Sequence, residues 1–185
     1  RKELAAPDIQ VHFIPYKVEL KDGKRILGKE PGITCTVNQN RPESKGSIHI
    51  KSDNPEEYPS IRYNFLSNQL DKDTLVAGVK LIRQIMQSDP MKEFCDDEIQ
   101  PGLAFASDEE ILKYIKDKAE TVYHPVGTCK MGFDEYAVVD KNLKVHGIKG
   151  LRIADASIMP TLISGNTNAA CMMIGERCAD FILNN

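Results

Sequence analysis

Between Asp71 and Gln87 the apolar residues Leu75, Val79, Ile82 and Met86 recur at helical spacing, with Val76 and Ile85 beside them, and Pro90 stops the pattern. An amphipathic helix of this kind carries an apolar stripe that another layer must cover. The residues ahead of it are suited to that role. Ile9-Gln10-Val11-His12-Phe13-Ile14 alternates apolar and polar, and Ile33 to Val37 is rich in β-branched residues. Gly46-Ser47-Ile48-His49-Ile50-Lys51 alternates again after a connection bearing Pro42 and Gly46. Such strands suit an antiparallel sheet with one wet face. Residues 21–32 collect turn formers and charge and read as a surface loop, while Ile61-Arg62-Tyr63 reads as a short extended piece. The expected class is α+β, an antiparallel sheet backed by helices.

A second helix begins at Ser107-Asp108-Glu109-Glu110, where a serine followed three residues later by a glutamate forms the pattern of a capping box. It is expected to bury Ile111, Leu112, Ile115 and Ala119 and to end just before His124-Pro125. Proline disfavours helical backbone at the residue before it, so His124 is expected in extended geometry at an element boundary, where a side chain can be aimed into a cleft. Extended segments are expected at Ala137 to Asp140, Leu143 to His146 and Leu151 to Ala154, and a last helix at about Asn168 to Leu183 with Asn and Thr ahead of it as N-caps. A surface turn near residues 132–137 divides the chain into a body, 1–132, and a tail, 133–185.

The 185 residues hold 24 Lys+Arg against 27 Asp+Glu, interspersed rather than in blocks, which argues against a nucleic-acid partner and a basic membrane-binding face. The apolar run from Ala169 to Ile174 falls far short of the roughly 18 residues that suggest a membrane span. Five cysteines, Cys35, Cys95, Cys129, Cys171 and Cys178, are an odd number without C-x-x-C spacing, so neither a disulfide framework nor a metal site is expected. Cys171 and Cys178, roughly 10 Å apart along a helix, are beyond disulfide reach and read as core filler. Reduced thiols make the cytoplasm the default compartment, with membrane association and export left open. A chain beginning with Arg1 is expected to be cut from something longer.

Two segments carry the chemistry: Tyr123-His124-Pro125-Val126-Gly127-Thr128-Cys129-Lys130-Met131-Gly132, and Ser164-Gly165-Asn166-Thr167-Asn168-Ala169. One offers an imidazole, the side chain best matched to proton transfer near neutral pH, and the other an amide. Taken alone, His124 beside a proline is more often structural, Asn166 could be a helix N-cap, and Asp155 could merely cap a turn. The order of motifs, with Val138-Val139-Asp140, Lys144-Val145-His146-Gly147 and Leu151-Arg152-Ile153-Ala154-Asp155-Ala156-Ser157-Ile158-Met159-Pro160 between, resembles the C-terminal signature of the glucose-methanol-choline (GMC) oxidoreductases. The resemblance is strongest from Glu120 onward. The layout from Pro7 through Arg41-Pro42, Lys45-Gly46-Ser47 and Leu75-Val76-Ala77-Gly78-Val79-Lys80 is most similar to the choline-dehydrogenase-like alcohol dehydrogenases of that family.

This resemblance implies an FAD enzyme that oxidises a primary alcohol, choline among the candidates. His124 would accept the hydroxyl proton, Asn166 would hydrogen-bond the substrate oxygen, and hydride would pass to flavin N5. Asp155 and Ala156 would touch the ribityl or pyrophosphate region of FAD. Asn166 and the backbone of Thr167 and Asn168 would face the flavin, at a helix N-terminus whose partial positive charge suits a reduced ring. Tyr123 would line the substrate cavity and could attract a quaternary ammonium, although a chain without Trp cannot supply a full aromatic cage. Residues 1–132 would be the substrate-binding domain and 133–185 a tail returning to the FAD domain.

The family's Gly-x-Gly-x-x-Gly is absent from this chain. The FAD-binding domain of the same polypeptide is therefore an expected partner, besides a small-molecule alcohol. Without it, apolar surface at Leu162, Ile163 or the last helix would stay uncovered and favour self-association or disorder there, and the segment alone would neither bind FAD tightly nor turn over alcohol. His12 and His49 read as sheet-face residues, His146 as structural, Met172 and Met173 as core, and Arg152 as an ion-pair partner for Asp155. Two other readings stand beside the enzyme: a stand-alone binding domain derived from one, and a metal-binding domain using Cys129, His124 and His146.

Overall fold

The structure, a computed structural model, describes residues 4–21 and 24–184, without the side chain of Leu20. Alternating Ile9–Ile14 forms β1, followed by β2 (Val18–Lys21), β3 (Lys24–Leu27), β4 (Thr34–Gln39), β5 (Ser47–His49) and β6 (Ser60–Arg62). The helices are α1 (Gln69–Met86), α2 (Asp89–Lys92), α3 (Asp108–Lys118) and α4 (Asn168–Leu183). Residues 4–39 and 68–120 cluster as one compact unit, and 40–67 and 121–184 as another.

The class is α+β, as expected, but the antiparallel pairing is divided. Among the described residues β1 pairs only with β4, β2 with β3 and β5 with β6. Residues 21–32, expected as loop, contain β3, because Lys24 to Leu27 can complete a hairpin with Val18 to Lys21 in register Val18↔Leu27. Asp22 and Gly23, within that expected loop, lie outside the described residues. The extended segments at 137–140, 143–146 and 151–154 form isolated bridges rather than strands: Met131↔Val139, Val139↔Val145 and Lys144↔Arg152.

In the first unit α1 lies on β4 and β1, and α3 packs on α1. The Asn68 side chain starts α1 by accepting from Leu70 N at 2.8 Å. The positions read from periodicity, Leu75, Val79, Ile82 and Met86, are half-buried, while Val76 and Gly78 go deepest among the nonpolar residues of the helix. Gly78 is where the helix backbone meets the strands. A β-carbon there would stand 2.7 Å from Val37 Cγ2 and 3.4 Å from Ile9 Cδ1.

Gly78→Ala is therefore expected to destabilise the protein, because overpacking of about 1–3 kcal/mol outweighs the roughly 1 kcal/mol alanine gains over glycine in a helix. Urea unfolding of a double-mutant cycle with Val37→Ala checks this: the loss should shrink once the valine methyls are gone. An undiminished loss would mean that the close approach is not the cause.

The capping box forms as read. Ser107 Oγ accepts from Glu110 N, and Glu110 Oε2 accepts from Ser107 N at 2.9 Å. The backbone N–H and hydroxyl of Ser107, with the Ala106 N–H, hold the exposed Glu110 carboxyl below its usual range. Ile111 is fully buried and Ile115 nearly so, but the helix stops at Lys118 and Ala119 is an exposed C-cap in extended backbone. The loop before it contains little regular structure and is held by one fork. Arg83 donates to both carboxylate oxygens of Glu98 at 2.8 Å, to Phe105 O at 2.8 Å and to Gly102 O at 3.2 Å.

The core of the second unit gathers Val139, Leu143, Ile158, Met159, Ile174 and Cys178, with Ile163 and Cys171 packed against it. Of the apolar surface expected to be uncovered at Leu162, Ile163 or the last helix, it is the helix that is exposed: Leu162 and Ile163 are half-buried, whereas Met172 and Met173, expected in the core, face outward with Ile182 and Leu183. The face of α4 turned to the core is the one bearing Ile174 and Cys178, the two residues the helix buries fully, and Met172 and Met173 lie off it. The three-residue ladder of β5 and β6 is exposed along its length, and beyond it the rings of Tyr63 and Phe65 stack at 5.1 Å. Among the described residues no helix is long and apolar enough to cross a membrane.

Candidate active site

The frame under the site is a strap. Cys129 N donates to Ser157 O at 3.0 Å and Met131 N to Ile158 O at 2.8 Å, tying the segment after His124 to a 3-10 turn at Ala156–Ile158. Asp155 starts that turn, its carboxylate accepting from Ser157 N at 2.7 Å. Below it, Asp140 accepts from Asn142 N at 2.8 Å and Lys144 N at 2.9 Å. Partial burial pushes the Asp140 carboxyl up. The Lys144 and Asn142 N–H groups, with the charges of His146 and Lys144, outweigh it and hold the group below its usual range. Arg152, expected to pair with Asp155, donates instead to the carbonyls of Asn142 and Phe181 at 3.3 and 3.2 Å. The guanidinium reaches these two carbonyls, while the Asp155 carboxylate is already used by the turn it caps.

On this frame the two motif segments converge. Asn166 Nδ2 lies 3.2 Å from His124 Nε2, and Thr167 Oγ1 lies 2.8 Å from His124 Nδ1. The imidazole is thus held at both nitrogens by consecutive residues more than 40 positions away in the chain. Asn166 is exposed and Thr167 buried, so the ring bridges from the interior to an open face. Asn166 is not the N-cap of α4. Thr167 holds that place and makes no side-chain capping bond.

Tyr123, 76% exposed, stands beside His124 in left-handed backbone, φ +61°, with its N–H donating to Thr121 Oγ1 at 3.0 Å. A non-glycine residue in that region stores strain of a kind that clusters at functional sites. Gly127, at φ +88°, supplies the turn that sends the chain from Pro125 to the strap. Asp155 and Ala156 belong to the 3-10 turn and are not part of the hydrogen-bonded group around His124. Asn168 opens α4 and is exposed. His12 donates to Asn38 Oδ1 at 2.7 Å across β1 and β4, and His146 to Gly132 O at 3.2 Å, so both are structural.

Two residues that matter here were not legible as side-chain partners. Thr167 was read only for its backbone and as a cap. Arg41 was read only as part of a layout, yet its Nε donates to Ser164 Oγ at 2.7 Å and steadies the turn that presents Asn166. Both contacts span more than 100 or 40 positions, and no local pattern announces them.

The arrangement suits proton transfer at a hydroxyl. Asn166 Nδ2 has only protons to offer, so Nε2 is the acceptor in that contact and is unprotonated. A base and a neutral hydrogen-bond donor therefore stand side by side on an open face. Beside them α4 begins without a side-chain cap, and the first N–H groups of a helix have no partner within it. That donor set fits the acceptor-rich edge of a flavin. Among the described residues no group of three or more His, Cys, Asp or Glu could hold a metal ion, and Cys129, His124 and His146 do not form one.

Residues 42–175 match the family model of the GMC oxidoreductases. An oxygen-dependent choline dehydrogenase of Escherichia coli is 42% identical over 182 residues, covering 98% of this chain and 32% of that protein. Pyridoxine 4-oxidase from Mesorbium loti superimposes with a TM-score of 0.85 at 28% identity, over 97% of this chain and 35% of that one. A formate oxidase of Aspergillus oryzae RIB40, described for its FAD modification, superimposes with a TM-score of 0.85 at 29% identity, over 98% of this chain and 32% of that one. The chain thus spans about a third of the length of the curated relatives it matches. Members of the matched family bind FAD. With its family model matched over most of its length and the motif residues gathered at one imidazole, the chain belongs to the GMC oxidoreductase family.

Proposed function

We propose that the full-length protein oxidises a primary alcohol to the aldehyde with FAD as electron acceptor, choline being the first alcohol to test. The observation that carries this reading is the 3.2 Å approach of Asn166 Nδ2 to His124 Nε2. A substrate hydroxyl set between the two groups meets an unprotonated nitrogen for its proton and an amide N–H for its oxygen. Nε2 takes the proton as the C–H bond breaks, and Asn166 holds the oxygen while negative charge grows on it. FAD, when bound, supplies the acceptor for the hydride that leaves the α-carbon.

The chain's own part in holding the cofactor falls to the start of α4, at Asn166, Thr167 and Asn168, and to Asp155 and Ala156. An acidic side chain does not face phosphate directly, and Asp155 is engaged with Ser157 N, so its contribution is to shape the turn and to meet a hydroxyl. Tyr123 borders the substrate, where its exposed ring offers an apolar and π-rich face to a quaternary ammonium.

The remaining two-thirds of the length seen in the relatives supplies the rest of the FAD site. The tail at 133–185 returns to it, and that contact covers Met172, Met173, Ile182 and Leu183, all of which are exposed in this segment. The 185-residue segment alone is expected to bind FAD weakly and to self-associate through that surface.

Anaerobic addition of an alcohol panel including choline to the full-length, FAD-loaded protein tests the reading. Bleaching of the oxidised flavin absorbance by one class of alcohol is the expected result. A flavin indifferent to every alcohol would end the proposal.

A further inference from the structure

A threonine where the chain enters a helix ordinarily turns its hydroxyl back onto the first N–H groups. Thr167 does not. It stands in helical backbone, φ −82° and ψ −12°, rather than in the extended geometry of a capping residue, and its side chain leaves α4 uncapped. Its hydroxyl lies instead 2.8 Å from His124 Nδ1. With the residue 7% exposed, little water reaches that contact.

The two contacts of the imidazole decide its proton together. At 3.2 Å, Asn166 Nδ2 faces Nε2 and can only donate, so Nε2 accepts. A neutral imidazole has one proton, which then sits on Nδ1 and is donated to Thr167 Oγ1. We propose that Thr167 is a positioning residue that holds His124 in the Nδ1–H tautomer and keeps the Nε2 lone pair on the side of Asn166. The effect on rate rests on the reading of His124 as the base; the tautomer does not.

A hydroxyl suits this task in a way a carboxylate would not. Its oxygen accepts from Nδ1–H both before and after Nε2 gains a proton, so the ring need not turn during transfer. It also puts no negative charge beside the imidazole, so the proton is not trapped there. The β-branched side chain has restricted rotamers and is buried, which fixes where the oxygen stands.

Nitrogen-15 NMR of histidine-labelled, FAD-loaded full-length protein tests the proposal, with His124 assigned by its absence in His124→Gln. The wild-type ring should carry its proton on Nδ1. Thr167→Val keeps the shape without the acceptor, and should move the proton to Nε2 in whole or in part. It should also slow flavin reduction by alcohol roughly tenfold, a part of the 10²–10⁴ that a positioned base contributes.

Thr167→Ser should restore both. A wild-type proton on Nε2, which needs no variant to observe, or a Thr167→Val spectrum unchanged from wild type, would overturn the proposal. A tautomer that shifts while the rate stays put would uphold the lock on the ring and overturn the reading of His124 as the base.

Discussion

Replacing His124 by alanine in the full-length, FAD-loaded protein is expected to lower the rate of flavin reduction by alcohol roughly 10²–10⁴-fold, with the flavin still bound. The size follows from what leaves with the ring: the acceptor for the substrate proton, and the partner that orders Asn166 and Thr167 at 3.2 and 2.8 Å. Stopped-flow absorbance under anaerobic conditions separates this step from reoxidation. Replacing Asn166 by alanine should also slow reduction, since the developing alkoxide loses a donor. Flavin reduction unimpaired in the His124 variant would remove the proposed function at its root.

Gly46→Ala is expected to cost about 1–3 kcal/mol of stability or more. A β-carbon at residue 46 would stand 2.1 Å from Arg62 O, 2.7 Å from Tyr63 O and 3.0 Å from Tyr63 C. These are backbone atoms, so no rotamer change relieves the overlap. One of the two chains must move.

The movement begins next to the Ser47↔Arg62 pair and the Asn64 Nδ2 to Lys45 O bond at 3.0 Å, so the short β5–β6 ladder should open first. Thermal unfolding should show a lowered midpoint, and limited proteolysis should show cutting within residues 40–67. A variant that melts with the wild type and resists the protease equally would mean that the two segments do not approach this closely in solution.

The helices were legible because the interactions that begin and end them are local. Ser107 and Glu110 are three residues apart, Asn68 and Leu70 two, and the apolar spacing from Leu75 onward repeats within each turn. The start of α4 at Asn168 was read at the right place, although Thr167 holds the N-cap position there without the side-chain capping bond expected of it. Where α3 ends was not, because the chain after Lys118 turns into extended backbone at Ala119 and left-handed backbone at Tyr123, and nothing between forces either.

Strand pairing is long-range, and there the reading was coarser. Among the described residues, three separate two-stranded ladders carry the same alternation as one sheet would, since alternation reports which residues share a face and not which strand lies alongside. The exposed Met172 and Met173 show the same limit on a helix, where an apolar residue need not be covered within this segment.

By itself, the sequence determined the family, the two motifs and the identity of the imidazole and amide that carry the proposed chemistry. These reside in residue types and short spacings. Only the tertiary structure decided that Thr167 turns away from its helix to His124 Nδ1, that Asn166 meets Nε2 rather than capping α4, that Arg41 holds Ser164, and that Arg152 serves two carbonyls instead of Asp155. The reason is physical. A polar side chain goes to whichever partner the folded chain brings within about 3 Å in the right direction. For these residues, most of the partners lie tens of positions away, where neither helical nor strand periodicity constrains the distance.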